Sequence, residues 1–250
     1  MSQAIYEFPL NEKVRTYLRL EQLFKQLVHA NSAIESWQFI NFFSSLFTLL
    51  DLLERLDLRT DVLKDIEQHE KNLVIWSQHP NIDNEALQAS LQKILRLRES
   101  LKGNKKIGAD LKEDRFLASI RQRFSIPGGT CSFDLPSLHY WLQQPSANKL
   151  KQVNTWMLEL NPIKEAIEIT LSFLRERGRF VQYAAEKGFY QGVAEDKNEL
   201  IRVFSTTDQG YYPMLSGNKY RYAIRFTLFT PTVQGSSGVD AVVPFQLACC

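Results

Sequence analysis

Three cysteines in the whole chain, Cys131, Cys249 and Cys250, are too few for a disulfide framework. A reducing, cytosolic setting is therefore expected. Long apolar runs are missing too. The most hydrophobic stretch, "WQFINFFSSLFTLLDLL", is broken by Gln38, Asn41, Ser44, Ser45, Thr48 and Asp51. It reads as a buried helix and not as a membrane span. The opening "MSQAIYEFPLNEK" lacks a basic region followed by an apolar core, so no targeting segment is expected. A large excess of one charge is absent as well. The formal net charge of +2 argues against a dedicated nucleic-acid binder, which carries a marked basic surplus.

Catalytic signatures are also lacking. There is no G-x-S-x-G elbow, no Walker loop, no G-x-G-x-x-G and no H-E-x-x-H. The four histidines, His29, His69, His79 and His139, are scattered without a ligand partner three or four residues on, and no metal is expected. Cys131 lies near Asp134 and His139, but "GGTCSFDLPSLHYWL" reads more simply as a turn, an extended segment and a capped helix. The pair Cys249-Cys250 has no second thiol pair for zinc and follows no flexible tail suited to prenylation. It reads as the end of a strand with Phe245, Leu247 and Cys249 on one face. Neither an enzyme nor a cofactor is indicated.

What is present is periodicity. Up to Gly178 the apolar residues recur at helical spacing. Asn11 can cap a first helix carrying Val14, Tyr17, Phe24 and Leu27. A second helix over Glu35–Asp57 is apolar nearly all round and belongs at the centre of a bundle. Thr60 can cap a third that ends before Pro80, and Asp83 starts a fourth stopped by Gly103. Shorter helices are expected over Asp114–Phe124 and Pro136–Gln143. Two more follow, Ala147–Leu158 and, with Asn161 as cap, Pro162–Arg177. After Gly178 the period shortens to that of strands, giving an antiparallel sheet of about four, which the N-terminal "AIYEF" could join. The fold class is α+β: residues 1–178 form a helical domain with a short N-terminal strand, and residues 179–250 a β domain.

Charge is distributed more informatively than its total. "DLLERLDLRTDVLKDIEQHE" carries seven acids against three bases, and "RLRESLKGNKKIGADLKEDRFLASIRQR" nine bases against four acids. Opposed patches suit contact with other proteins, although ordinary solvated helix faces account for them more simply. A sharper signal lies in "SGNKYRYAIRFTLF", Ser216–Phe229. Read with period two, Tyr220, Tyr222, Ile224, Phe226 and Leu228 share one face, and Lys219, Arg221, Ala223, Arg225 and Thr227 the other. The cations then span roughly 20 Å of one strand. Lys and Arg also guard sheet edges against aggregation, but no acid alternates here to neutralise them. Arginine is favoured where carboxylates are held bidentately, so an acidic peptide or groove fits this strip. Nucleic acid fits locally, yet Tyr220 and Tyr222 fall on the other face, away from any stacking role. A nucleic-acid-binding regulator using the basic middle segment and the strip is the alternative reading.

Six segments carry a more specific likeness. They are "FPLNEKVRTYLRLE", "LKEDRFLASIRQRFSIPGGTCSFDLPSLHYWL", "LNPIKEAI", "GFYQ", "SGNKYRYAIRF" and the terminal "LACC". In this order the whole chain resembles the bacterial Z ring-associated protein D (ZapD) family, whose members bind and bundle filaments of the tubulin-like division GTPase FtsZ. The resemblance implies a helical domain plus a β domain, a symmetric homodimer, no catalytic activity, and a cytoplasmic location concentrated at midcell. It implies that the ligand is FtsZ's C-terminal tail, an acidic and apolar peptide, with neither nucleic acid nor membrane as partner. Arg221 and Arg225 match two arginines of the family's tail-binding pocket, with Lys219 on the same strip, and Arg55 matches a third by position. The competing role for Arg55 is pairing with Asp51 or Glu54 along its own helix. Arg19, Arg115 and His139 match charged positions implicated in bundling, against local pairing for Arg115 and helix packing for His139.

Overall fold

The computed structural model of the chain describes residues 3–55, 58–77, 83–103, 106–229 and 238–250. His79 and Pro80, and most of the loop "TPTVQGSSGVDAV", lie outside them. Eight α-helices and seven strands are assigned among the described residues, an α+β fold. By packing the chain divides into two units, Arg19–Thr170 and Met1–Leu18 with Leu171–Cys250.

The first unit is helical. It holds the later turns of α1 (Glu12–Val28), then α2 (Ser36–Arg55), α3 (Leu58–Trp76) and α4 (Asn84–Leu101). The short helices α5 (Ala109–Glu113), α6 (Arg115–Arg121) and α7 (Pro136–Leu142) lead to the long α8 (Ser146–Arg177). The expected caps are in place at Asn11, which accepts the Val14 amide at 2.8 Å, and at Asp83, which accepts those of Glu85 and Ala86. Asp114 does the same for Leu117, and the expected helix after it is completed by a 3-10 turn over Gln122–Ser125. Thr60 is no cap. Helix α3 has already begun at Leu58, whose buried side chain anchors its first turn.

Helix α2 is the centre, as its all-round apolar character requires. Phe43 is fully buried and meets the rings of Phe42, Phe47, Phe116, Phe124, Trp141 and Trp156 at centroid distances of 5.1–6.3 Å. Aromatic pairs in such geometry add ~0.5–1.5 kcal/mol each beyond burial.

Two expected helices prove to be one. Helix α8 runs through Pro162 without a break at Asn161. An interior proline costs a helix ~3 kcal/mol. Leu160, Ile163, Ala166 and Ile167 are all buried around it, and each large apolar side chain buried there contributes ~1.5–3 kcal/mol. Packing outweighs the local rule.

The second unit is a two-layer β structure. Strands β1 (Gln3–Pro9), β4 (Leu200–Thr206), β7 (Val243–Cys249) and β2 (Val181–Ala185) form one antiparallel sheet in the order β1-β4-β7-β2. Strands β3 (Phe189–Val193), β6 (Arg221–Leu228) and β5 (Tyr211–Gly217) form another in the order β3-β6-β5. The N-terminal strand does join, pairing with β4 from Gln3↔Thr206 to Pro9↔Leu200. Instead of one sheet of about four strands, there are two facing sheets. The turn within "RFVQYAAEKGFYQGV" sends β2 to one sheet and β3 to the other. The switch occurs at Lys187 (φ 50°) and Gly188 (φ 65°), where a side chain on Gly188 would collide with the Val239 backbone. Between the sheets lie Val203, Tyr222, Ile224, Phe226, Val243, Phe245 and Leu247, with Phe226 and Phe245 at 5.4 Å.

Candidate functional site: a basic and apolar sheet face

Strand β6 is the middle strand of the smaller sheet, so its outward side chains have neighbours on both sides. Tyr222, Ile224 and Phe226 are buried between the sheets, while Arg221 and Arg225 are exposed. The alternation read from the sequence therefore holds from Arg221 to Phe226. It fails at both ends.

Lys219 and Tyr220 form the tip of the β5–β6 turn, where Asn218 Oδ1 accepts the amides of Tyr220 and Arg221 at 2.9 and 3.2 Å. Tyr220 is exposed and not on the buried face, and the Lys219 ammonium sits 4.7 Å from its ring centre. At the other end Thr227 is buried and Leu228 partly exposed. There β3 has ended, and Gly238 bridges to Thr227 in its place. The strip is thus two arginines on a strand, with a lysine in the turn before it.

Register supplies what the period could not. Across β3, Phe189 stands opposite Arg225, Gln191 opposite Ala223, and Val193 opposite Arg221. Across β5, Met214 stands opposite Arg225 and Ser216 opposite Ala223. Phe189 is 41% exposed, Met214 50% and Val193 81%. The Arg225 guanidinium lies 5.6 Å from the Phe189 ring centre, within cation–π range. The buried side is locked by Tyr222, whose ring fills the space a side chain on Gly192 would need and whose hydroxyl lies 3.5 Å from Cys249 Sγ. Burial pushes the Tyr222 phenol up, so it stays neutral at physiological pH. Phe189, Val193 and Met214 had escaped the sequence reading. The signal available was that "GFYQGV" places Phe189, Gln191 and Val193 on one face.

Arg221 and Arg225 form no ion pair among the described residues. This contrasts with the helical unit, where much of the opposed charge is used internally. Arg121 pairs with Asp51 and Glu54, Lys112 with Glu54 at 2.9 Å, and Arg98 with Glu70. Three of the nine bases in the middle segment, Arg98, Lys112 and Arg121, thus pair with Glu70, Glu54 and Asp51 of the acidic one. The hydrogen bond from Lys112 holds the Glu54 carboxyl below its usual range. Asp51 and Glu54 are thereby engaged elsewhere, and Arg55, exposed at the end of α2, pairs with neither. Arg19, Arg115 and His139 are exposed on α1, α6 and α7, so His139 is not packed into the bundle. Arg115 has no ion pair among the described residues. Arg55, Arg19, Arg115 and His139 belong to the helical unit, and the two arginines and Lys219 to the β unit.

Catalytic arrangements gain nothing. Cys131 is exposed, and Asp134 faces Arg123 at 3.8 Å. Among the described residues no group of three His, Cys, Asp or Glu could hold a metal ion, and no helix is long and apolar enough to cross a membrane.

The ZapD family model, described as "Cell division protein", matches residues 18–225, a span that runs from α1 to Arg225. The chain belongs to the ZapD family. A cell division protein ZapD of Photobacterium profundum is 42% identical over 245 residues, covering 98% of each chain. Those of Pectobacterium carotovorum and Escherichia coli O1:K1 are each 39% identical over 249 residues, covering all of this chain and 98% and 99% of theirs. The family match takes in every candidate residue, from Arg19 through Arg55, Arg115 and His139 to Arg221 and Arg225.

Proposed function

We propose that the outer face of the β3-β6-β5 sheet is the docking site for the C-terminal tail of FtsZ. The observation that carries this is the pair of exposed arginines, Arg221 and Arg225, unneutralised and framed by Phe189, Val193 and Met214. Guanidinium forks make charge-assisted hydrogen bonds to tail carboxylates, and the flanking side chains receive the tail's apolar residues. Lys219 adds charge at the turn end. Arg55 contributes a third arginine to tail binding, and Arg19, Arg115 and His139 provide a separate basic surface used in bundling.

The protein is a non-enzymatic cell division factor that works as a homodimer, crosslinking FtsZ filaments and so stabilising the division ring. A disordered tail loses entropy on docking, so a single site binds weakly, in the ~micromolar range. Two sites on a dimer facing many tails along a filament convert weak contacts into avidity. The protein acts in the cytoplasm and concentrates at midcell because the tails are there.

The test is fluorescence anisotropy with a labelled FtsZ tail peptide, comparing the wild type with Arg221→Glu/Arg225→Glu. Saturable wild-type binding that the reversal abolishes, with circular dichroism unchanged, is the expected result. Equal binding by both proteins would refute the site. Filter binding of duplex and single-stranded DNA to the wild type is the companion measurement, and tight, salt-resistant retention would favour a nucleic-acid regulator instead.

A further inference from the structure

The row of side chains between the two arginines is shorter than the rows on either side of it. Across the smaller sheet the outward rows read Val193 and Arg221, then Gln191, Ala223 and Ser216, then Phe189, Arg225 and Met214. Cross-strand partners share a face, so a methyl group and a hydroxymethyl group lie between two rows of bulkier side chains. Ala223 is half-buried, while Arg221, Arg225, Gln191 and Ser216 are exposed around it. Alanine is depleted from strands because it packs little on a pleated surface, yet here it holds the centre of the middle strand.

The floor of this saddle is fixed. Ala223 is paired on both sides, and Tyr222 and Ile224 next to it are buried between the sheets. Its walls are neutral: Gln191 and Ser216 bring hydrogen-bonding groups and no charge. Arg221 and Arg225 each lie two residues from Ala223, roughly 6.6–6.8 Å along the strand. A flat ring standing on the Ala223 methyl has a guanidinium stem to either side, each able to reach the ~6 Å at which cation and ring attract. Arg225 already makes such a contact with Phe189, at 5.6 Å.

We propose that Ala223 is the specificity-determining residue of the docking face. Its missing bulk leaves a saddle that accepts one aromatic side chain of the acidic tail, held between the Arg221 and Arg225 guanidiniums while these bind carboxylates. An aliphatic side chain fills the same space but draws nothing from the cations. A lysine or arginine at that position of the tail meets two like charges and is rejected. The inference rests on the tail docking proposed above, and it adds which side chain the face selects.

Ala223→Leu fills the saddle and leaves every charge in place. With the labelled FtsZ tail peptide, anisotropy should show an affinity about 10-fold or more below wild type. The factor should be the same at low and high salt, because the exclusion is steric and not screened. Ala89→Leu, an exposed alanine of α4 in the helical unit, is the control and should bind within about twofold of wild type. Ala223→Leu that binds as tightly as wild type overturns the saddle and leaves the docking face standing. A wild type whose binding survives Arg221→Glu/Arg225→Glu, or that does not bind the peptide, overturns both. Should Ala223→Leu misfold, methyl NMR of the wild type with isotope-labelled alanines decides, the Ala223 signal being identified by its loss in Ala223→Ser. At saturating peptide that methyl should move upfield under the face of the ring. A signal that stays in place or moves downfield overturns the inference.

Discussion

Replacing Arg221 and Arg225 singly and together by alanine tests whether the tail lies along β6. The two residues are four apart on one strand, so their Cα atoms are separated by ~13 Å. That exceeds the Debye length of about 8 Å at physiological salt. They face different neighbours, Arg221 standing opposite Val193, and Arg225 between Phe189 and Met214. Hydrogen bonds to charged groups contribute ~1.5–3 kcal/mol, and solvent exposure discounts this to ~1–2 kcal/mol per arginine. Each single alanine variant should therefore weaken tail binding about 5–30-fold. Arg225→Ala should be the larger, because it also strips the cation from the Phe189 ring. With no shared partner the losses should add within ~0.5 kcal/mol. Anisotropy titrations at physiological salt measure all four corners of the cycle. A double variant no weaker than the worse single would mean that both guanidiniums serve one carboxylate, refuting a tail laid along the strand.

Three further outcomes follow from the packing. Glu7 accepts hydrogen bonds from Arg175 at 2.7 and 2.8 Å and from Arg202 at 3.0 Å, and its side chain is 19% exposed. Glu7→Gln leaves two guanidiniums facing each other and should cost ~2–4 kcal/mol in urea unfolding, whereas Glu12→Gln, at the exposed Arg15 pair, should cost under ~0.5 kcal/mol; equal effects would sink the distinction. Pro162→Ala should stabilise the protein by ~1–2 kcal/mol, since the helix recovers a hydrogen bond while the unfolded chain gains some freedom; a loss of stability would show that packing requires the proline. Burial raises the Tyr222 phenol above 10.0 and the Cys250 thiol above 9.0. Unfolded chains lose these protons first, so the stabilisation is complete below those values and declines as pH rises past them. Melting temperature should fall from about pH 9 to about pH 11, less steeply for Tyr222→Phe; superimposable curves would refute the assignment to this phenol.

Helix positions in the bundle were legible because they rest on periodicity and on local caps. Asn11, Asp83 and Asp114 each bond amides two or three residues ahead, a geometry spacing alone can predict. Pro162 and Thr60 misled for the opposite reason. Each is a sound local signal that is overruled by buried residues on either side. The strip was half legible. Alternation placed Arg221 and Arg225 correctly, but period two carries no information about where the strand stops. Lys219 belongs to the Asn218 turn, and Thr227 lies under a bridge to a residue eleven positions on. The apolar frame was invisible because Phe189, Val193 and Met214 come to the arginines only through the register of two different neighbouring strands.

The distribution of ion pairs gives the strip its meaning. Three cations of the basic middle segment, Arg98, Lys112 and Arg121, stand opposite acids of α2 and α3. Arg175 and Arg202, at the sheet of β1 and β4, are likewise held by Glu7. Arg221 and Arg225 follow neither pattern. The register gives them Val193, Phe189, Ala223 and Met214 as neighbours, and none of these carries a carboxylate. A guanidinium kept only for solubility works equally well beside an acid. Arginines placed among apolar side chains, on the middle strand of a sheet instead of its edge, are the observation behind the proposed docking site. If this face docks the tail as proposed, a tail peptide stripped of either its carboxylates or its apolar side chains should fail to bind in the anisotropy assay.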